Sequence, residues 1–196
     1  RSVPRRTPPS SPFPGLVEFD PVALASTALD IARQVLATAG PVDGVGITTQ
    51  RASTVVWDRR TGEPIGPGLG WQDLRTVGEC IAAKEQYGLV LAPNQTATKA
   101  AWILDNHDPQ RLRNVCIGTI DAWLVWNLTG GSASVTDPSS ACITGLVELD
   151  GTQWSGRALD AMRLDEASMP SIVDSSGFVA EATALPGSPP ITGLAG

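Results

Sequence analysis

The sequence predicts an α/β layered domain, on three observations. Val22, Ala25, Leu29, Ala32 and Leu36 recur at intervals of three and four residues, the period of a helix with one apolar stripe. Short apolar runs at residues 45–49 (VGITT), 54–58 (TVVWD) and 115–119 (VCIGT) have the length of buried strands. Runs of the two kinds alternate along the chain, which favours sheets covered by helices over a sandwich or a bundle.

The elements follow in order. Residues 1–15 hold six prolines or glycines and three arginines, so they can form neither a helix nor a central strand, and residues 1–14 are expected to be an extended leader. Asp20-Pro21 supplies an N-cap and a first-turn proline, and Gly40-Pro41 stops the helix that carries the first stripe. Arg59-Arg60-Thr61-Gly62 is a turn that reverses the chain before Glu63-Pro64-Ile65 and makes a hairpin. Gly66, Gly68 and Gly70 precede no G-K-[ST] or G-x-G-x-x-G pattern and are expected in a loop.

A second amphipathic helix carries Leu74, Val77, Cys80, Ile81 and Lys84 and ends near Gly88. A third spans residues 96–106 with Ala97, Ala101 and Leu104 inward. Residues 121–128 (DAWLVWNL) form a short, very apolar helix stopped by Thr129-Gly130-Gly131. Residues 134–142 and 146–149 are expected as loop and strand, residues 155–162 as a helix, and residues 191–195 as a last apolar run.

Composition excludes several function classes. The chain has 196 residues, 42% hydrophobic and 17% charged, which suits one ordinary core and argues against disorder. A net charge of -6, from 14 basic and 20 acidic residues, repels phosphate backbones and anionic lipid, so neither nucleic acid nor membrane is expected as a partner. No window nears the roughly 20 apolar residues of a membrane helix. Arginines and prolines stand where a secretory signal needs an apolar stretch, so a cytoplasmic location is expected. Cys80, Cys116 and Cys142 form no C-x-x-C pair, which suits a reduced compartment and leaves no zinc site. His107 falls where a helix ends, and Ser139 and Ser140 lack a nucleophile elbow, so a serine hydrolase is disfavoured.

Single residues suggest milder roles. Asp121 and Asp137 are expected as an N-cap and a turn residue, and Trp123 and Trp126, three apart on a helix, as core. Lys99 lies among Ala97, Ala100 and Trp102, and two readings stand: it orders a cleft, or it is an ordinary exposed helix lysine.

The order of particular segments carries more. Leu16-Val17-Glu18-Phe19-Asp20-Pro21, Gly46-Ile47-Thr48-Thr49-Gln50-Arg51, Val55-Val56-Trp57-Asp58, Thr61-Gly62, Trp71-Gln72-Asp73 and Arg75-Thr76 are followed by Thr98-Lys99 with Trp102, Leu104, Asp105 and Asn106. Gly118-Thr119-Ile120-Asp121, Trp123-Leu124-Val125-Trp126, Leu128-Thr129-Gly130-Gly131 and Thr136-Asp137 complete the series. Together, over residues 15–196, they resemble the N-terminal domain of the FGGY carbohydrate kinases, most of all the glycerol kinase branch.

The resemblance implies a partial actin-like, ribonuclease-H-like domain with a mixed sheet and flanking helices. It implies a parent enzyme that moves the terminal phosphoryl group of ATP, with Mg2+, to a polyol or sugar hydroxyl in a cleft between two domains. Gln50 and Arg51 would hold the acceptor hydroxyls, and Trp71 would wall its carbon backbone. Two positions depart from the glycerol pattern: Ala52 stands for a glutamate and Asn94 for a tyrosine. Each lost hydrogen bond to a charged partner is worth roughly 1.5 to 3 kcal/mol, so a longer or differently oriented polyol or sugar is expected.

The family's glycine hairpin, D-x-G-[ST], has no counterpart upstream of Gly15. Its catalytic aspartate is expected directly after Gly196, and its ATP-binding domain after that. The isolated chain is therefore expected to lack turnover, to bind neither ATP nor Mg2+ alone, and to expose apolar surface that could form a homo-oligomer. A non-catalytic polyol- or sugar-binding module, or a decayed kinase fragment, is the competing reading.

Overall fold

The structure, a computed structural model, describes residues 3–196, so Arg1 and Ser2 of the leader lie outside it. A short strand, β1 (Glu18–Phe19), leads directly into the first helix, α1 (Pro21–Ala39). The Asp20 carboxylate accepts from the Val22 and Ala23 amides, Pro21 occupies the first turn, and Gly40 ends the helix at a φ of 81°. Next come β2 (Val45–Thr48), β3 (Thr54–Asp58), β4 (Gly68–Leu69), α2 (Val77–Tyr87), α3 (Thr96–His107), β5 (Val115–Thr119) and α4 (Ile120–Leu128). The chain finishes with β6 (Val135–Thr136), α5 (Pro138–Ala141), α6 (Gly156–Met162), a 3-10 turn at Glu166–Ser168, β7 (Ser171–Ile172), β8 (Ser176–Glu181) and β9 (Pro190–Ala195).

The strands form three sheets. An antiparallel four-stranded sheet has the order β1-β4-β3-β5, a three-stranded sheet the order β2-β9-β8, and β6 pairs with β7. β2 runs parallel to β9, and β9 antiparallel to β8. β2 and β3 are neighbours in sequence and lie in different sheets, so the loop that joins them crosses from one sheet to the other.

Alternation along β3 sorts the core. Val56 and its cross-strand partner Ile117 face α3 and α6, with Ile103, Leu104 and Leu159. Val55 and Trp57 face the opposite way, against Ala25 of α1 and Trp123 and Trp126 of α4. The Trp57 ring meets the Trp123 ring edge-on at a centroid distance of 5.2 Å and the Trp126 ring at 5.8 Å. The far side of α4, through Val125 and Leu128, packs with Ile47, Ile191 and Leu194 of the three-stranded sheet. α4 is apolar all round because it has a sheet on either side.

Several sequence expectations are corrected by this packing. Val22 belongs to the apolar period of α1 but is 55% exposed, because the helix contacts the core through Ala25 and its neighbours instead. Leu74 precedes α2 instead of lying on it, and with Val77 and Ile81 it faces solvent, while α2 buries only Cys80 and Ala83. Gly68 lies in strand β4 rather than a loop, pressed against the Phe19 ring. The hairpin after β3 closes through a single bridge, Trp57 to Pro64, without a second strand. Residues 134–142 contain β6 and α5, and residues 146–149 contribute only the Val147–Trp154 bridge.

Asp121 is no N-cap: it lies within α4, fully buried, and accepts from the Thr119 and Thr136 hydroxyls. Burial raises its pKa above the ordinary carboxylate value. Asp137 does cap a helix, accepting from the Ser139 and Ser140 amides at the start of α5. Among the described residues, no helix is long and apolar enough to cross a membrane.

Candidate functional site

The parallel strands β2 and β9 end side by side, and Gln50 and Arg51 follow β2 by two and three residues at those ends. Gln50, Arg51 and Ala52 form the loop that leaves β2 for β3. Trp71 follows β4 by two residues, and Asn94 precedes α3 by two. Carboxyl ends of parallel strands are where loops of an α/β protein can surround a ligand without breaking the sheet.

Two buried side chains tie these loops together. Ser53, fully buried, accepts from the Gln50 amide Nε2 at 3.0 Å and from the Trp71 backbone N–H at 3.1 Å through the same Oγ. Lys99, on the first turn of α3, is also fully buried. Its Nζ donates to the Gly70 carbonyl at 2.6 Å and to the Asn94 carbonyl at 3.0 Å. The exposed-lysine reading of Lys99 is thereby overturned, since its helix turn faces inward against the Trp71 loop. Burial pushes its pKa down from 10.5 to about 8, with the Asp73 charge opposing that shift.

The base of the Trp71 loop is braced by charge. Asp73, fully buried, accepts from the Val17 N–H at 2.6 Å and from the Arg75 Nε at 2.8 Å. Arg75 also reaches Glu18 at 2.7 Å and lies 4.4 Å over the Trp102 ring. Burial alone would raise the Asp73 pKa, but the guanidinium and the backbone donors hold it below the ordinary value. Gly70 permits a close approach here, because a Cβ on it would lie 2.8 Å from Val17 Cγ1.

Each expected site residue has a definite place. Gln50 and Arg51 are exposed, Trp71 is 45% exposed, and Asn94 is half-buried. Arg51 turns toward the end of β9: a Cβ on Gly196 would come within 2.5 Å of Arg51 Cγ and 2.6 Å of Ser140 Oγ. The Gly196 N–H donates to Ser139 Oγ at 2.8 Å. Ala52 is 2% exposed at a φ of 65°, so its methyl is enclosed by protein, and its backbone is held in a conformation that favours glycine.

A cavity of about 460 Å³ opens beside this loop. Its lining mixes polar residues, among them Arg5, Gln50 and Gln72, with apolar ones, among them Leu24, Ile31 and Leu124. Of the five expected site residues, Gln50 borders it, while Arg51, Ala52, Trp71 and Asn94 do not. Ser53 was not singled out from the sequence, Gln72 entered only within a family segment, and Ser139 only as a disfavoured nucleophile. A lone serine or glutamine in a loop carries no periodic or motif signal of its own.

Known proteins resemble this chain in sequence and in fold. The profile of the N-terminal domain of the FGGY family of carbohydrate kinases matches residues 4–185. Glycerol kinase of Trichlorobacter lovleyi is 40% identical over 204 residues, covering 94% of this chain and 41% of that protein. Glycerol kinase of Thermus brockianus is 39% identical over the same coverage. The chain thus spans about two-fifths of the length of the curated relatives it matches.

Among solved structures, Plasmodium falciparum glycerol kinase with ADP superposes with a TM-score of 0.85 at 22% identity, covering 98% of this chain and 42% of that one. Ligand-bound xylulose kinase from Lactobacillus acidophilus gives 0.81 at 18% identity, covering 97% and 42%. At these identities the likeness is one of fold.

Proposed function

Because this chain belongs to the FGGY family of carbohydrate kinases, we propose that it is the acceptor-binding part of a kinase that transfers the terminal phosphoryl group of ATP to a polyol or sugar hydroxyl. The observation that carries this reading is the convergence of the Gln50-Arg51, Trp71 and Asn94 loops on two buried connectors, Ser53 and Lys99.

The roles follow from side-chain chemistry. The Arg51 guanidinium donates to acceptor hydroxyls, and the Gln50 amide, fixed by Ser53, presents its carbonyl to them. The exposed Trp71 ring covers the acceptor's carbon chain, and the Asn94 amide offers donors and an acceptor where a longer polyol would extend. Holding the acceptor in one orientation lowers the entropy cost of in-line attack.

Among the described residues no group of three or more acidic, histidine or cysteine side chains is placed to hold a metal ion. ATP, Mg2+ and the proton acceptor are assigned to the rest of the kinase. A carboxylate following Gly196 in a longer chain would begin beside Arg51, where residue 196 approaches the Arg51 stem.

Calorimetric titration with three- to six-carbon polyols, paired with a coupled ADP-release assay on the complete protein, tests the reading. A preference for an acceptor longer than glycerol, with ADP formation, is the expected result. Preference for glycerol over all others sinks the longer-acceptor assignment. Polyol binding without ADP formation favours a non-catalytic binding module.

A further inference from the structure

Lys99 is an expensive choice for the interior. An ammonium removed from water costs several kcal/mol unless well paired, and an apolar residue is the ordinary occupant of a buried helix position. Its neighbours Ala97 and Ala100 are such occupants, both fully buried. Among the described residues Lys99 takes part in no ion pair, although Asp73, Arg75 and Cys80 all act on it electrostatically. Its hydrogen bonds go to two backbone carbonyls, one in each loop expected to touch the acceptor.

We propose that Lys99 is the positioning residue of the acceptor site: its ammonium holds the Gly70-Trp71 backbone and the Asn94 backbone at a set separation, and thereby fixes the width available to the acceptor between positions 71 and 94. The grip is on main-chain oxygens and takes no account of the side chain at position 94. Asparagine can therefore stand there on the same backbone that would carry a tyrosine, and acceptor size can change through that one side chain while the frame stays still. The identity of the acceptor rests on the phosphotransfer reading; the frame does not.

The test uses Lys99→Met in the complete protein, which keeps the stem and removes the donors. Hydrogen exchange followed by mass spectrometry is expected to speed up about tenfold or more at residues 70–73 and 92–95, with the rest of α3 unchanged. Calorimetry is expected to show the preferred polyol bound about tenfold more weakly. Adding Trp71→Phe to Lys99→Met is expected to weaken binding no further, because Lys99 acts through the placement of that ring.

Unchanged exchange at both segments overturns the proposal, and so do polyol affinities that fall additively in the double variant. A purely structural lysine would lower the melting temperature and leave both readouts alone. If Lys99→Met does not fold, Lys99→Gln, neutral and still able to donate, serves for the same measurements. If the wild type binds no polyol, the phosphotransfer reading fails, and exchange at the two segments still decides the role of Lys99.

Discussion

Ser53 and Trp71 are joined through a single oxygen: the Trp71 backbone N–H donates to Ser53 Oγ at 3.1 Å, and the Gln50 side chain donates to the same atom at 3.0 Å. A small polar residue at the entrance to β3 therefore sets the position of two loops at once. Ser53→Ala is expected to leave both donors without their partner and to cost about 1 to 3 kcal/mol of stability. Urea unfolding measures that loss. Polyol titration should also show weaker binding, and an unchanged affinity would mean that the loops hold their places without Ser53.

Gly70 has no room for a side chain. A Cβ there would stand 2.8 Å from Val17 Cγ1 and 3.3 Å from the Val17 carbonyl oxygen. Gly70→Ala must push β1 and the Trp71 loop apart, so a loss of about 1 to 3 kcal/mol in urea midpoint experiments is expected, with polyol affinity falling alongside. A substitution that is neutral in both measurements would contradict the close approach.

Lys99 makes stability depend on alkaline pH with a definite sign. Its folded pKa is about 8 against an ordinary 10.5, so within that window the unfolded chain holds a proton that the folded chain has released. Stability contributed by this group therefore rises as pH climbs from about 8 to 10.5, by roughly 3 kcal/mol if the shift is fully expressed. The difference in denaturation midpoint between the wild type and Lys99→Met, followed across that range, isolates the contribution of Lys99. A difference that does not change with pH refutes it.

Trp57 is the common neighbour of two other tryptophans, with Trp123 at 5.2 Å and Trp126 at 5.8 Å between ring centroids. Trp57→Ala would open a large void between β3 and α4, and a loss of about 3 to 5 kcal/mol by guanidinium unfolding is expected. Trp57→Phe should cost less, since part of the ring contact survives.

Much of the architecture was legible because its signals are local. Asp20-Pro21 and Gly40 bracket α1 by capping chemistry that needs no tertiary contact. The β3 and β5 runs carry unbroken apolar stretches, Val55–Trp57 and Val115–Ile117, and were read as strands for that reason. The candidate site, Gln50, Arg51, Ala52, Trp71 and Asn94, was proposed from ordered segments that resemble one kinase family.

Other features carried no local mark. The exposed stripe of Leu74, Val77 and Ile81 has the period of a buried face, and which face of α2 meets the core is settled by where α2 sits. β8 was missed because only two of its six residues, Val179 and Ala180, are even partly buried and apolar alternation is therefore weak.

By itself the sequence determined the α/β class, the capped ends of α1, the tryptophan core and the family, because each depends on residue types at short spacing or on their order. Only the tertiary structure decided that Lys99 is buried with its ammonium on the Gly70 and Asn94 carbonyls, that Ser53 joins Gln50 to Trp71, and that Asp121 lies deep between two threonines. Each includes a contact between separated segments: Lys99 with Gly70, Ser53 with Trp71, and Asp121 with Thr136. Their energies depend on desolvation and on partners that no stretch of sequence contains, so they exist only once the sheets and helices have closed around them.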